Sequence, residues 1–199
     1  MKYFDTLPNV LIVNPNGTST VFKNLMARAS IISDILSNPV LFYKYDVKDG
    51  ETPEIIADKY YGDSYRYWLV MFSNQILDPQ WDWPLSSLAL QDYITNKYTE
   101  FSPYSTVHHY EKNVSQYDSQ TGVTTNYTTI IDQNDYNTLQ TGSVTYTFPT
   151  STCTITTTGR SVSYYEYELE TNEAKRNITL LRKDYAVRIE QELSKLMRQ

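Results

Sequence analysis

The sequence is poor in the groups from which most catalytic and metal sites are made. Its 199 residues include one cysteine, Cys153, so no intrachain disulfide can form. There are two histidines, His108 and His109, and they are neighbours. Basic residues are outnumbered, 17 Lys and Arg against 23 Asp and Glu, for a net charge of −6. The densest basic stretch, Lys175-Arg176 to Arg182-Lys183, is interleaved with apolar residues. A phosphate-binding surface needs clustered cations, so nucleic acid is not the expected partner. No apolar run approaches the roughly 18 residues of a membrane-spanning helix. Met1 to Val13 lack the sustained apolar core of a secretory signal, so the reducing cytoplasm is the expected folding environment and the sequons at Asn16, Asn113, Asn126 and Asn177 are accidental. Neither a Walker loop nor a GxGxxG run is present.

The chain has instead 40% hydrophobic and only 20% charged residues, which sets it apart from disordered compositions. Tyrosine occurs 19 times. Its rigid ring and polar tip suit either extensive protein interfaces or a β region packing on itself.

The first 19 residues read as an extended arm, with a strand at Val10–Val13 and a turn at Asn14-Pro15-Asn16-Gly17. Phe22, Leu25, Ala29, Ile32 and Leu36 recur with helical spacing, which predicts an amphipathic helix over Thr20–Ser37 that packs on its own domain or docks on another subunit. Val40–Val47 reads as a strand and Asp49-Gly50 as a turn. Thr52-Pro53 opens a short helix that stops at Gly62, and a second follows from Asp63 or Ser64 to Asn74. The run Asp78-Pro79-Gln80-Trp81-Asp82-Trp83-Pro84-Leu85 holds two prolines, which argue for an irregular loop. A helix follows from Ser86 or Ser87, with Leu88, Tyr93, Ile94 and Tyr98 as its apolar positions.

Composition then changes. Between Thr121 and Thr158 stand 15 threonines, and alternation such as Val144-Thr145-Tyr146-Thr147-Phe148 has the period of a strand. With turn signals at Gly122, Gly142, Pro149 and Gly159, this stretch reads as an insertion of polar hairpins, or failing that as a weakly ordered segment. Tyr164–Ala174 reads as helical and Asn177–Leu181 as a strand. A final helix, capped by Asp184, carries Tyr185, Ile189, Leu193 and Leu196 on its apolar face. The divisions expected are 1–39 for the arm and first helix, 40–98 for a module with its tryptophan loop, 99–163 for the insertion and 164–199 for a C-terminal strand and helix.

A catalytic constellation is hard to assemble. In a regular strand the two histidines point to opposite faces and cannot share a metal. A Cys153–His pair has no local signature, and Asp78 and Asp82 lack the long cleft of a glycosidase, so they read as turn residues.

Tyr45-Asp46-Val47-Lys48-Asp49-Gly50-Glu51-Thr52, then Ile56-Ala57, Tyr60, Gly62, Leu69 and Asn74, resembles the LysM module. Pro53 stands where LysM has Leu, and Ile76–Leu85 replaces its closing Gly-Gln-x-Leu segment. Tyr61-Gly62-Asp63, Tyr67-Trp68, Asn74, Trp83-Pro84-Leu85-Ser86 and the later Asn172-Glu173-Ala174-Lys175-Arg176-Asn177-Ile178 are similar to the LysM-like baseplate wedge proteins (wedge subunit 53) of contractile-tailed bacteriophages. The resemblance covers about residues 20 to 98 and 164 to 197. It implies a LysM-like strand-helix-helix module with flanking amphipathic helices; with the Thr/Tyr-rich β insertion, which composition alone gives, the fold class expected is α+β. It further implies a non-enzymatic, cofactor-free structural subunit of the virion tail, assembled in the host cytoplasm. Such a subunit clamps adjacent wedges in a six-fold inner ring and touches core-bundle and sheath-initiating subunits. The alternative is a LysM-type peptidoglycan- or chitin-binding module. The residues expected at protein interfaces are Phe22, Met26, Trp81, Trp83, Pro84, Glu173, Arg176, Ile189 and Leu193, with Glu173 and Arg176 pairing across subunits.

Overall fold

The computed structural model describes residues 2–27, 29, 31 and 38–197. The fold mixes helices with strands that, among the described residues, all pair antiparallel, and it divides into two compact units, residues 1–88 with 172–199, and residues 89–171.

In the first unit, Tyr3–Thr6 forms a 3-10 turn, and Leu7 behind it is buried in the core. Then comes a β-hairpin, β1 (Asn9–Val13) and β2 (Ser19–Lys23). The helix predicted over Thr20–Ser37 does not start at Thr20, and residues 28, 30 and 32–37 of that prediction lie outside the described residues. The physical reason is local. Gly17 takes φ +77°, and the Asn14 side-chain amide donates to Thr18 Oγ1 and Thr20 Oγ1, so the turn returns the chain beside four consecutive apolar, mostly β-branched residues. Pairing of Val10 with Phe22 and of Leu11 with Val21 then outweighs the helical spacing.

The core of this unit is built by β3 (Phe42–Asp46), α1 (Pro53–Tyr61), α2 (Tyr67–Ser73), β8 (Asn177–Leu181) and α7 (Lys183–Leu196). Thr52 caps α1 with Pro53 in its first turn, and Gly62 ends it at φ +73°, as the sequence predicts. Asp63 caps a 3-10 turn, Ser64–Arg66, that leads into α2. The partner of β3 is β8, more than 130 positions away, in antiparallel register from Phe42 opposite Leu181 to Asp46 opposite Asn177. Ile56, Leu69, Val70, Leu180 and Leu181 are all but fully buried between them. Asn74 extends this sheet: its amide donates to Thr179 O and accepts from Thr179 N, a side chain standing in for a third strand.

α7 starts two residues earlier than expected, with Arg182 rather than Asp184 at the cap. Its buried seam is Ala186, Glu190, Leu193 and Met197, while Ile189 and Tyr185 are half-buried and Leu196 is exposed. The seam shifts toward Glu190 because Arg66 meets that carboxylate with two bonds, 2.8 and 3.2 Å. A satisfied carboxylate is tolerated where a bare one is not.

The second unit holds α4 (Ser87–Lys97; the break falls after Leu88), a four-stranded antiparallel sheet and most of α6 (Tyr164–Ala174). The strands are β4 (Val107–Asp118), β5 (Val123–Ile131), β6 (Gly142–Thr147) and β7 (Thr152–Ser163), in the order β5-β4-β7-β6. The Thr-rich stretch is thus ordered hairpins. Gly159 is not a turn but stands in β7 opposite Lys112. A Cβ there would lie 2.9 Å from the Tyr136 ring of α5 (Gln133–Thr138), which packs across the sheet at this point.

Candidate functional site

Two features of the first unit stand out: a tryptophan loop fastened from several sides, and apolar side chains left in water beside and away from it. The loop contains a one-turn helix, α3 (Pro79–Asp82), where the two prolines had argued for irregular backbone. Pro79 occupies the first turn, where its missing N–H costs nothing, and Asp78 caps it by accepting from Gln80 N. Pro84 lies beyond the helix.

Trp83 is 8% exposed, and its indole Nε1 donates to Glu51 O at 2.8 Å. Pro84 is buried beside it. Leu85 is held by both backbone groups: its N–H donates to Asn172 Oδ1 at 2.7 Å, and its carbonyl accepts from Asn172 Nδ2 at 3.0 Å. Lys175 Nζ donates to Trp81 O. The guanidinium of Arg176 reaches Glu173 at 2.8 Å, Asp49 at 3.3 Å, and the carbonyls of Val47 and Leu85. Its pKa is raised, first by the Glu173 bond. Glu173 and Arg176 therefore pair within the chain, where the sequence had placed them across subunits. Arg176 is consumed in tying β8's approach to the β3–α1 turn and to the loop.

The β3–α1 turn is itself built on the buried Glu51. Its carboxylate accepts from Tyr45 Oη at 2.8 Å, Lys48 N at 3.0 Å and Lys59 Nζ at 2.6 Å. Burial pushes the Glu51 carboxyl up, but these three donors together hold it below its ordinary value. The same burial and the same carboxylate push the Tyr45 phenol up to about 12.

Of the remaining interface candidates, Leu193 is buried in the core and Ile189 packs against it. Phe22, Met26 and Trp81 are exposed, Trp81 by 60%. Sequence reasoning missed the rest of the exposed apolar surface. Every residue of β1 and β2 is exposed, and the pairing puts Val10, Ile12 and Phe22 on one face of the hairpin and Leu11, Val13 and Val21 on the other. The signal was present in the sequence as Val10-Leu11-Ile12-Val13, an apolar run with no alternation.

The residues considered for chemistry fall apart. Cys153 pairs with Asp118, nine positions along β4 from His109, roughly 30 Å at about 3.3 Å per residue. Asp78 and Asp82 bond within their own turn. The histidines do not point to opposite faces: a bulge between Val107 and His109 brings their Nδ1 atoms to 2.8 Å. Among the described residues no group of three His, Cys, Asp or Glu is placed to hold a metal, and no helix is long and apolar enough to cross a membrane.

Among the described residues, the first unit thus presents a clamped loop with one exposed tryptophan and a hairpin with exposed apolar side chains. Residues 7–198 match the family described as base plate wedge protein 53, and the chain belongs to that family. It is a structural protein of the phage baseplate, in the tail of the virion, where it assembles with other baseplate components. No curated protein matches the chain.

Proposed function

We propose that this chain is a non-enzymatic clamp that joins adjacent wedges in a six-fold inner ring of a contractile tail's baseplate, assembled in the host cytoplasm. In this reading β3, α1, α2 and β8 form a LysM-like module spanning residues 40–98 and closed by 164–199. The 99–163 insertion interrupts it, and the arm at 1–39 reaches a neighbour. Core-bundle and sheath-initiating subunits are the partners proposed.

One observation carries this reading: β1 and β2 expose apolar side chains on both faces. An isolated two-stranded hairpin is at best marginally stable in water. Single exposed hydrophobics are ordinary, but six on a ribbon without a core call for surfaces to receive them. Trp81 supplies a second exposed anchor, on a loop whose backbone is fixed in advance, which limits the ordering cost of binding.

Peptidoglycan or chitin binding is less well supported. The β3–α1 turn and the tryptophan loop, which a glycan reader would leave open to a sugar, are bonded to each other through Trp83 and Glu51. Baseplate wedges mixed with and without this chain, viewed by electron microscopy, test the proposal. Ring closure is expected only when the chain is present; rings formed equally well without it would overturn the clamp. Saturable binding of a chitin oligomer would favour the glycan reading.

A further inference from the structure

The second unit holds a titratable cluster that the structural role does not use. The bulge at the start of β4 turns His108 and His109 toward one another, Nδ1 to Nδ1 at 2.8 Å. At that distance one nitrogen donates and the other accepts. The neighbours decide which. His109 Nε2 lies 3.3 Å from Glu111 Oε1 and can only be the donor in that contact, since the carboxylate accepts. That leaves His109 Nδ1 as the lone-pair acceptor and His108 Nδ1–H as the donor, and it leaves His108 Nε2 unprotonated. The His108 ring is stacked on Tyr167 of α6, centroids 4.0 Å apart, and meets the edge of Tyr164 at 4.8 Å.

We propose that this imidazole pair is a proton-sensitive latch, holding the start of β4 to α6 while at least one ring is neutral and releasing it when both are charged. The first proton still leaves a single hydrogen between the two Nδ1 atoms, so the bond stays intact whichever ring carries the charge. A second proton puts a hydrogen on both Nδ1 atoms, opposed across 2.8 Å, and sets two like charges side by side. The bond then breaks, the rings part, and the Tyr167 stack is lost with them.

The other charges facing the pair come from every element around it. Glu168 of α6 is bound by Lys97 of α4 at 2.6 Å and by Tyr98 Oη at 2.6 Å, so its charge is already matched. Glu111 is shared with Arg160 of β7 at 3.9 Å. Glu166 and Glu170 of α6 hold the same Arg160 at 3.5 and 2.7 Å, so Glu111 stays beside His109 as a counter-charge for one imidazolium, not two. Partial desolvation, and then the neighbouring His109, hold His108 below its ordinary range. A folded-state value below the unfolded one means the contact stabilises the unit at neutral pH and loses that contribution as pH falls.

Nitrogen-15 NMR of the imidazoles in the full-length chain, titrated from about pH 8 to 4, tests the latch. The expected result is an Nδ1–H tautomer for His108 and an Nε2–H tautomer for His109 at neutral pH, followed by two proton steps separated by more than about one pH unit. Amide exchange over Tyr164–Glu168 should accelerate at the second step. In His109→Gln, His108 should titrate once, and that acceleration should vanish. Two independent steps near the ordinary histidine value of about 6.5, or exchange unchanged through the second step, would overturn the proposal.

Discussion

Trp83 and Glu51 stand 32 residues apart and are joined by a 2.8 Å bond from the indole Nε1 to a backbone carbonyl. That bond turns a sequence of two tryptophans and two prolines into a fixed shelf with one ring inside and one outside. Trp83→Ala empties a buried site and orphans the Glu51 carbonyl, so chemical denaturation should register a loss of about 3–5 kcal/mol. Trp81→Ala removes a solvent-facing ring and should shift stability by no more than about 0.5 kcal/mol. Equal stability losses for the two variants would contradict this division.

Asn172 holds both backbone groups of Leu85 and is itself 4% exposed. No other side chain type of that length both donates and accepts without charge. Asn172→Ala should cost about 1–3 kcal/mol by leaving buried groups unsatisfied, and Asn172→Leu should not restore it. The loss is read from the urea midpoint at unchanged m.

Arg66 and Glu190 join α7 to the turn before α2 by two bonds across 124 positions. Arg66→Met takes two charged bonds from the buried carboxylate and should cost about 3 kcal/mol; Arg66→Met with Glu190→Leu should recover most of it. A double variant as unstable as the single one would show that the pair is not the source of the loss.

Glu51 and Tyr45 give the first unit a pH signature at each end. Glu51 is held below 4.5 in the fold, so its contribution is complete above that pH and fades as pH falls through the folded value. Tyr45 is raised from 10.0 to about 12, so its contribution is complete below 10 and is lost as pH climbs toward 12. Melting temperature measured against pH should show both limbs. Glu51→Gln should flatten the acid one, and a limb unchanged in that variant would place its origin elsewhere.

What could be read from sequence was local. Thr52-Pro53 and Gly62 delimit α1 because a cap, a first-turn proline and a left-handed glycine act within a few residues. The strands 42–46 and 177–181 could be found separately by composition, but not their pairing, since nothing local joins Tyr45 to Ile178. The hairpin was hidden because Phe22 and Leu25 satisfy a helical period as readily as Val21 and Phe22 satisfy a strand, and only the Asn14–Gly17 turn decides between them. Arg176 looked like a surface charge for a partner because its four acceptors, on Val47, Asp49, Leu85 and Glu173, are scattered along the chain. The histidine contact depends on one bulge, which residue types do not announce.

The hairpin is where assembly can be tested most directly. Leu11→Asp with Val21→Asp charges one face and Ile12→Asp with Phe22→Asp the other, at positions already exposed and outside the core. The decisive measurement is the amount of each variant incorporated into baseplates, against the parent, for proteins whose melting curves match. Loss of incorporation with either face charged is the predicted result. Incorporation at the parental level with both faces charged would contradict the clamp and send the search for the interface elsewhere.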